Sequence, residues 1–438
     1  EYVQGEEWNT PETYALQLRI SPEGYQIVSG IRRALTNIAA MKFTQQELNF
    51  AKEYYEEFAA INSFNAEKWQ EIIEKGGTLP VKIFAVPDGT AILPGDPVLR
   101  VEGPEELAAH FEPEFHRIFY STRVATIAHE IDRKVGGGRF IEVGLRGADS
   151  KSDHLIAVSA MYTGGGIIQT SSDPGAAVYS ELSGRGTIGH RYVQTKATEE
   201  EAFRKAIEKL GNVSLLVDLN NTINGIEIAI KLKREYRESG KAIWIRLDSG
   251  DISSQTIYAL RRFQEEGFTD PDLDKIIVEG LETVDEMPEI DKRAREEGFE
   301  PEKFVRYGAG ELLISRNTGR SFASTGYKVT EHGGRDTMKF SDSPGKSSLP
   351  GTPTLVELNG ERIIAQVGEF PNGRDLLIPA FADGEILFKE GLETARQTAS
   401  RTFKNIEQSI KAGQKSKLSP QMEARKEEFR KQLPKAIT

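Results

Sequence analysis

The simplest fold that the sequence predicts is an α/β protein in which a βα barrel is inserted between the N- and C-terminal parts of a sheet-containing domain. Short apolar strands alternate with amphipathic helices through the middle of the chain, about one βα unit apart, which is typical of a parallel sheet buried on both faces. Segments rich in Pro, Gly and β-prone residues precede and follow this stretch, and they favour antiparallel sheet. The pattern alone leaves a barrel and a doubly wound sheet open for the middle part.

Composition sets the class of protein. The 438 residues are 38% hydrophobic and 28% charged, enough for a large core and, by length, for two or three domains. The net charge of −11 argues against general nucleic-acid binding, which needs a basic face, but permits small anionic ligands. The chain has no cysteine, no apolar run near the roughly 20 residues of a membrane helix, no recognisable signal peptide and no initial Met. We therefore expect a cytoplasmic protein without disulfides, whose natural N-terminus is trimmed.

Residues 1–105 are expected to form the N-terminal part of the sheet-containing domain, with residues 1–60 mostly helical. The segment GYQIVSGIRRALTNIAAM has apolar residues at helical spacing, and TQQELNFAKEYYEEFAAI begins with a Thr-x-x-Glu capping box. From 79 to 103, short β-prone runs separated by Pro, Asp-Gly and Pro-Gly predict antiparallel strands.

The middle segment, residues 106–318, is predicted to be the βα barrel. It begins with one long helix over 111–135 and a buried strand in RFIEVGLRG, and further strands are predicted at 214–219, 242–249, 275–280 and 303–310. The helix TEEEAFRKAIEKLG between them has Thr198 as N-cap, Glu201 closing a capping box and Gly211 as its stop.

Hairpin patterns return after the barrel. In TLVELNGERIIAQV, two β-prone runs lie on either side of Asn-Gly, a strong hairpin signal. Residues 319–386 are therefore expected to complete the sheet-containing domain, and the charged residues 387–438 to form a helical tail. The polar stretch KFSDSPGKSSLPGTP, which contains Lys346, is predicted to be a long functional loop.

Polar residues follow the predicted barrel strands at their carboxyl ends, where parallel barrels carry their active sites. One charge after a strand is usually a solvated loop residue, but four such strand ends together predict a shared site. The residues at these positions are Glu142, Arg146, Asp218, Arg246, Asp248, Glu279, Gly308 and Gly310.

Three loops have groups suited to phosphate. Gly308 and Gly310 in RYGAG leave backbone N–H groups accessible to an anion, although an ordinary tight turn has the same pattern. The loop YTGGGIIQTSSDPG offers hydroxyl donors, and DSPGKSS offers an ammonium group. The side chains concerned are Thr170, Ser171, Ser172 and Lys346.

His190 follows a Gly-Thr-x-Gly turn in GRGTIGHRYVQT, and the chain has only six histidines. A lone histidine is more often structural than catalytic, but a neutral imidazole at a barrel rim can accept a proton or a phosphoryl group. Carboxylates near it are suited to Mg²⁺ or to ribose hydroxyls. These carboxylates are Asp218, Asp248, Asp251 and Glu279.

Taken together, these motifs resemble those of the nicotinate phosphoribosyltransferases and, more distantly, of their nicotinamide-using relatives. The resemblance covers about residues 20–370 and rests on LRVEGP, STRVATIAHEI, EVGLRG, GTIGH, LLVDL, IRLDSGD, YGAGELLIS and MKFSDSPGKSSLPG. It implies an irregular seven-stranded βα barrel of the type II phosphoribosyltransferase kind beside an α/β sandwich domain built from N- and C-terminal segments. It also implies a homodimer with shared active sites.

The resemblance further implies a reaction and roles for the residues. The reaction is ATP-linked transfer of the phosphoribosyl group of phosphoribosyl pyrophosphate to nicotinate, with Mg²⁺, giving nicotinate mononucleotide and pyrophosphate on the way to NAD. It implies that His190 accepts the phosphoryl group of ATP and that Asp248, with Arg246, holds the ribose and phosphate. The remaining implied substrate-binding residues are Arg146 at the base, Gly308 and Gly310 at the 5′-phosphate, and Thr170, Ser171, Glu279, Gly280 and Lys346.

Two alternatives stay open at this point. Val143 and Gly147 stand where nicotinate-using members often have Phe and a second Arg, and the nicotinamide-using relatives also have Gly after the first Arg. Nicotinamide is therefore the alternative base, whereas a dicarboxylic base would require more cations near Arg146. A non-catalytic nucleotide-binding sensor is the alternative from another class, but it would not need His190 and Asp248.

Overall fold

The computed structural model describes residues 9–57, 65–136, 138–167, 169–184, 186–316, 324–341, 346–388 and 390–432. The chain divides into two compact units. We call Glu1–Thr126 with Thr318–Thr438 the split unit, and Ile127–Asn317 the central unit. None of the helices in the described ranges is both long enough and apolar enough to cross a membrane.

The split unit is built on a seven-stranded antiparallel sheet of order β14-β13-β1-β5-β3-β18-β19, with a four-stranded sheet β17-β15-β16-β20 and the pair β2-β4. Its strands are β1 (Pro11–Leu18), β2 (Gln26–Ile27), β3 (Lys82–Ala85), β4 (Ala91–Ile92), β5 (Pro97–Pro104), β13 (Thr325–His332), β14 (Arg335–Asp336), β15 (Pro353–Leu358), β16 (Glu361–Gln366), β17 (Arg374–Asp375), β18 (Ile378–Ala382), β19 (Glu385–Ile386) and β20 (Lys417–Leu418). Its helices are α1 (Ile31–Ala40), α2 (Gln45–Glu57), α3 (Ala66–Glu74), α4 (Glu105–His110), α5 (Glu112–His116), α16 (Leu392–Lys411) and α17 (Pro420–Gln432).

The central unit is built on a seven-stranded parallel sheet of order β8-β7-β6-β12-β11-β10-β9. Its strands are β6 (Phe140–Glu142), β7 (Gln169–Thr170), β8 (Ser183–Gly184), β9 (Val213–Leu216), β10 (Ile243–Leu247), β11 (Ile276–Val278) and β12 (Val305–Ala309). Its helices are α7 (Lys151–Gly165), α8 (Asp173–Val178), α9 (His190–Gln194), α10 (Glu199–Leu210), α11 (Thr222–Glu235), α12 (Ile252–Glu266), α13 (Glu286–Glu296), α14 (Pro301–Phe304) and α15 (Glu311–Ile314). Helix α6 (Ile118–Val135) begins before the boundary at Thr126 and ends after it.

This parallel sheet is a half-barrel. Within the described residues, β8 and β9 at its two edges share no hydrogen-bonded ladder, so the sheet stays open on that side. On one side of the opening, the edge strand β8 and its neighbour β7 have only two residues each, which leaves few backbone groups for pairing. The predicted α/β fold with a parallel sheet is thus confirmed at the level of an open half-barrel.

Local signals in the sequence mostly held. Thr44 and Glu47 form the predicted capping box at α2, and Thr198 accepts a hydrogen bond from the N–H of Glu201 at the start of α10. The Asn359-Gly360 turn joins β15 to β16 with both residues at positive φ, as a two-residue hairpin of this type requires. The predicted strands at 214–219, 242–249, 275–280 and 303–310 correspond to β9–β12.

The expectation that residues 1–60 are mostly helical is wrong in two places. Strand β1 is a central strand of the large antiparallel sheet, paired with β13 and β5, which lie far away in sequence. Residues 24–41 contain β2 before α1, because Gly30 adopts φ +102 and a Cβ there would lie 2.4 Å from the Oγ of Ser121. The long helix predicted over 111–135 is divided into α5 and α6 at Arg117.

Candidate active site

The carboxyl ends of the parallel strands meet at one edge of the half-barrel, as the sequence predicted. Strand β12 is in register with β6 at Ala309 and Glu142, and β10 with β11 at Leu247 and Val278. The side chains that follow these positions therefore project from one edge of one sheet. The chain segments directly after β9, β10 and β11 carry Asp218, Asp248 and Glu279.

Arg246 organises this edge by hydrogen bonding. Its Nη2 lies 3.1 Å from Asp248 Oδ2 and 2.8 Å from Glu279 Oε2, and its Nη1 donates to the Thr187 hydroxyl at 2.7 Å. Its Nε is buried and has no hydrogen-bond partner among the described residues. One guanidinium thus bonds to two carboxyl groups and keeps an unused donor at the site.

His190 lies at the same edge, beside a carboxylate. Its Nε2 is 3.3 Å from Asp218 Oδ1, a buried oxygen that accepts no hydrogen bond in the described part of the chain. The other oxygen of Asp218, Oδ2, accepts a hydrogen bond from the Ser249 hydroxyl, with an oxygen–oxygen distance of 2.6 Å, and this bond orients the carboxylate. One ligand atom each from His190, Asp218 and Asp248 lies within 4.8 Å of the other two. The imidazole itself is 46% exposed, so a ligand can reach it from solvent.

Glu279 is a buried carboxyl whose ionisation is disfavoured. The pKa of Glu279 is raised to about 7, mainly by burial and also by the charge of Asp248, while Arg246 and Arg146 offset only part of the increase. The same carboxyl group has an oxygen, Oε1, without a hydrogen-bond partner in the described residues. The site therefore contains an acid that titrates near neutral pH.

This raised pKa predicts a pH-dependent stability. Between its ordinary value of 4.5 and about 7, native Glu279 keeps a proton that the unfolded chain has lost, so its contribution to the free energy of unfolding falls as the pH rises. Between pH 4 and pH 8, the parent protein should lose up to about 3 kcal/mol of unfolding free energy through Glu279. Glu279→Gln lacks this loss, so its stability relative to the parent should rise by the same amount. Urea unfolding at both pH values measures this gain. The exposed carboxyl variant Glu289→Gln is the control, and an equal gain in both variants would contradict the assignment.

Arg146 reaches the edge from the short turn Leu145–Gly147 after β6. The fully buried Glu142 holds this turn, because its carboxylate accepts hydrogen bonds from the Gly144 N–H, from His154 Nε2 at 3.1 Å and from the Thr170 hydroxyl. Arg146 is exposed and makes no hydrogen bond or ion pair with any described residue. Its guanidinium is therefore available to a ligand, on a turn that a buried network keeps in place.

The three hydroxyl side chains of the loop YTGGGIIQTSSDPG differ in burial and in their partners. Thr170 is buried and donates a hydrogen bond to Glu142. Ser172 is also buried, and it caps α8 by accepting a hydrogen bond from the Gly175 N–H at 3.1 Å. Ser171 alone of the three is exposed and borders a cavity.

Two further predicted residues lie away from this edge or have a local role. Asp251 caps α12 by accepting a hydrogen bond from the Ser254 N–H at 3.0 Å. Lys346 is an exposed residue of the split unit, and residues 342–345 of its loop lie outside the described residues.

Gly280 after β11, Gly308 within β12 and Gly310 after β12 each have a steric reason to be glycine. A Cβ on Gly308 would lie 2.3 Å from the Cγ of Glu279, and one on Gly280, which has φ +73, would lie 2.4 Å from the carbonyl oxygen of Asp248. A Cβ on Gly310 would approach the carbonyl oxygen of Val143 to 3.1 Å. Helix α15 after Gly310 has only four residues, so its dipole contributes little to anion binding.

Two cavities adjoin these side chains. The inner cavity, of about 490 Å³, is bordered by Ile141, Val143 and Ile277 and also by polar and charged side chains. The rim cavity, of about 430 Å³, is bordered by Gly280, Gly308, Gly310, Ser315 and Arg316. Arg146 and Glu279 border both cavities, so a ligand with an apolar ring and a charged tail could occupy them together.

Sequence reasoning missed three contributors to this edge. Thr187 fixes Arg246, Ser249 fixes Asp218, and His154 donates to the buried Glu142. Thr187 and Ser249 lie within GTIGH and RLDSGD, so their nearness to the predicted residues was a usable signal. His154 had no such signal, because it comes from the helix after the turn and its role depends on burial.

The fold and the site define an α/β half-barrel protein with its candidate active site at the carboxyl ends of the parallel strands. Within that class, the chain is similar to the nicotinate phosphoribosyltransferases, which confirms the resemblance seen in the motifs. It is 27% identical over 344 residues to the nicotinate phosphoribosyltransferase of Bacillus subtilis, covering 76% of this chain and 65% of that one. It is 24% identical over 397 residues to the enzyme of that name from Dictyostelium discoideum, covering 80% of this chain and 65% of that one. The chain thus spans 65% of the length of each of these relatives.

Solved structures support the fold. The human nicotinic acid phosphoribosyltransferase superposes with a TM-score of 0.69 at 17% sequence identity, covering 95% of both chains. The nicotinate-nucleotide pyrophosphorylase of Pyrococcus furiosus superposes with a TM-score of 0.66 at 17% identity, covering 91% of this chain and 90% of that one. No protein-family model matches the chain.

Proposed function

We propose that this chain catalyses the ATP-linked transfer of phosphoribosyl from phosphoribosyl pyrophosphate to nicotinate, giving nicotinate mononucleotide and pyrophosphate in NAD biosynthesis. The observation that carries the proposal is the meeting of His190, Asp218, Asp248 and Arg246 at one edge that adjoins two cavities. The relatives from Bacillus subtilis and Dictyostelium discoideum carry the name of this activity.

The inner cavity suits the pyridine base. Ile141, Val143 and Ile277 offer apolar contact to a flat ring, and Arg146 at its border offers a charge-assisted hydrogen bond to the ring carboxylate. Nicotinate carries that carboxylate and nicotinamide does not, so the unpaired guanidinium favours nicotinate. The lack of a second Arg at Gly147 makes this a single interaction, and nicotinamide remains the competing base.

His190 is the proposed phosphoryl acceptor. The Nε2 of His190 lies 3.3 Å from Asp218 Oδ1, so the carboxylate favours the tautomer with the proton on Nε2 and leaves Nδ1 as the nucleophile. The Nδ1–phosphorus bond forms as the bond from the γ-phosphorus to the bridging oxygen of ATP breaks, and ADP leaves. Asp218 then offsets the positive charge of the phosphorylated ring. The 46% exposure of the imidazole leaves room for ATP.

In this proposal, the carboxylates and Arg246 bind the ribosyl group and its phosphates. An oxocarbenium-like transition state has positive charge at the ribose, which Asp248 is placed to stabilise. The free Nε of Arg246, the glycine backbone of the rim cavity and Arg316 are suited to phosphate oxygens. The Oδ1 of Asp218, which accepts no hydrogen bond from the described residues, fits a hard cation, so Asp218 and Asp248 would hold Mg²⁺, which when bound offsets charge on pyrophosphate oxygens.

The finer architecture and assembly belong to the same proposal. The seven parallel strands favour an irregular barrel of the type II phosphoribosyltransferase kind, and the resemblance favours a cytoplasmic homodimer with shared active sites.

The proposal is tested by incubating the full chain with phosphoribosyl pyrophosphate and Mg²⁺ plus nicotinate, nicotinamide or a pyridine dicarboxylate, each with and without ATP. We expect nicotinate mononucleotide to form fastest in the presence of ATP. If no base gave a mononucleotide, the transferase proposal would be wrong and the chain would be a binding protein. If nicotinamide reacted faster than nicotinate, nicotinamide would be the substrate base.

Arg146→Ala should lower kcat/KM for nicotinate at least about tenfold, because a charge-assisted hydrogen bond to the substrate is worth about 2 kcal/mol. The rate with nicotinamide should fall much less, since that base has no carboxylate. Initial rates with both bases measure this difference, and Arg261→Ala, which removes an exposed arginine of α12, is the matched control. Equal losses with both bases would show that Arg146 does not read the carboxylate.

A further inference from the structure

A second cluster of ligating side chains lies in the split unit, within the large antiparallel sheet. Glu12 in β1 stands opposite His332 in β13, and Glu105 is the first residue of α4, directly after β5. The N–H of Glu105 donates to the carbonyl oxygen of Thr10 at 2.9 Å, next to the start of β1. Three adjacent strands of one sheet therefore fix the backbone positions of the three side chains.

The side chains converge closely enough to share one cation. The Nδ1 of His332 lies 2.8 Å from Glu12 Oε1, and one ligand atom of each of the three residues lies within 4.8 Å of the other two. Glu12 is only 6% exposed, and its Oε2 is buried without a hydrogen-bond partner among the described residues. A buried carboxylate oxygen that no protein group satisfies is costly unless a ligand completes it.

In this cluster, Glu12 forms an ion pair with His332. In the described part of the chain, neither Glu12 nor Glu105 forms an ion pair with a lysine or arginine. The other His–Glu pair of the split unit differs, because Lys328 Nζ lies 3.5 Å from Glu112, the partner of His116. A lysine supplies the cation there, whereas at Glu12 none of the described lysines does so.

We propose that Glu12, Glu105 and His332 bind a divalent transition-metal cation, with water completing its coordination. One imidazole nitrogen and two carboxylates are the donors that Zn²⁺ and Mn²⁺ accept, whereas Mg²⁺ prefers oxygen ligands alone. Binding requires His332 neutral and both carboxylates ionised. Because its ligands come from β1, β13 and the start of α4, the cation links these three segments and stabilises the split unit, independently of the proposed enzymatic function.

The test uses the full chain, freed of metal by chelation, and ZnCl₂ as the probe. His190→Ala serves as the background, because the cluster of His190, Asp218 and Asp248 could bind Zn²⁺ as well. Calorimetric titration should show one Zn²⁺ per chain and little Mg²⁺ binding. Since even the loss of a residue that supports a ligand weakens metal binding about 10- to 100-fold, Glu105→Gln and His332→Gln should each weaken it at least about tenfold. The matched control, His116→Gln, should leave it unchanged.

Thermal unfolding with and without Zn²⁺ tests the proposal independently of calorimetry, together with a check that the variant is folded. Glu105 is partly exposed at the start of α4, so Glu105→Gln should keep the fold, which circular dichroism checks. Zn²⁺ should raise the Tm of the background protein and of His116→Gln, but not that of Glu105→Gln. Absence of Zn²⁺ binding, or binding and a Tm increase that both ligand variants retain, would overturn the proposal.

Discussion

His190→Ala is expected to abolish ATP hydrolysis while a slow, ATP-independent transfer of phosphoribosyl to the base remains. The variant removes the proposed phosphoryl acceptor, but it leaves Arg146, Arg246 and Asp248 in place for base and ribose. Because the imidazole is 46% exposed, its loss opens no cavity, and we expect stability to change by no more than about 0.5 kcal/mol. A purely structural histidine would give the opposite result, with lowered stability and unchanged coupling.

The direct measurement is incubation with γ-labelled ATP followed by a search for an acid-labile, base-stable label on the protein. The parent chain should acquire the label and His190→Ala should not. His110→Ala, which removes an exposed histidine of the split unit, should label normally. A parent chain without label, or a His190→Ala chain that still hydrolyses ATP with base and phosphoribosyl pyrophosphate present, would remove His190 from the mechanism.

Asp248→Asn should lower kcat at least about 100-fold without unfolding the protein, the usual size for one electrostatic group in an active site. The amide oxygen of Asn can still accept the hydrogen bond from Arg246, now 3.1 Å from Asp248 Oδ2, so the local geometry should persist. What is lost is the negative charge facing the ribose, which matters most when positive charge develops in the transition state.

The matched control for this variant is Asp251→Asn, three positions further along the same segment. It removes the same charge, but Asp251 caps α12, and asparagine is an equally good N-cap. Steady-state kinetics with both variants separate the two roles. A near-normal kcat for Asp248→Asn, or equal losses in the two variants, would show that Asp248 has no special part in the chemistry.

Much of the candidate site follows from the sequence because parallel strands end at a common edge. Asp218, Asp248 and Glu279 each follow an apolar run, and that position alone indicates that they lie near one another. The loop hydroxyls were less predictable. Thr170 and Ser172 have the same chemistry as Ser171, and only the buried Glu142 and the start of α8 determine that the first two hydroxyls bond internally.

The sequence by itself determined the local elements: the strands β9–β12, the capping box at Thr44, the N-cap at Thr198, and the Asn359-Gly360 hairpin. Each depends on residues within a few positions of one another, so short-range periodicity and backbone preference are sufficient. Only the tertiary structure decided that β1 is a central strand, that the parallel sheet stays open, and that His190 meets Asp218. These features depend on partners far away along the chain, and the free energy of burying them together outweighs the local preference that sequence patterns report.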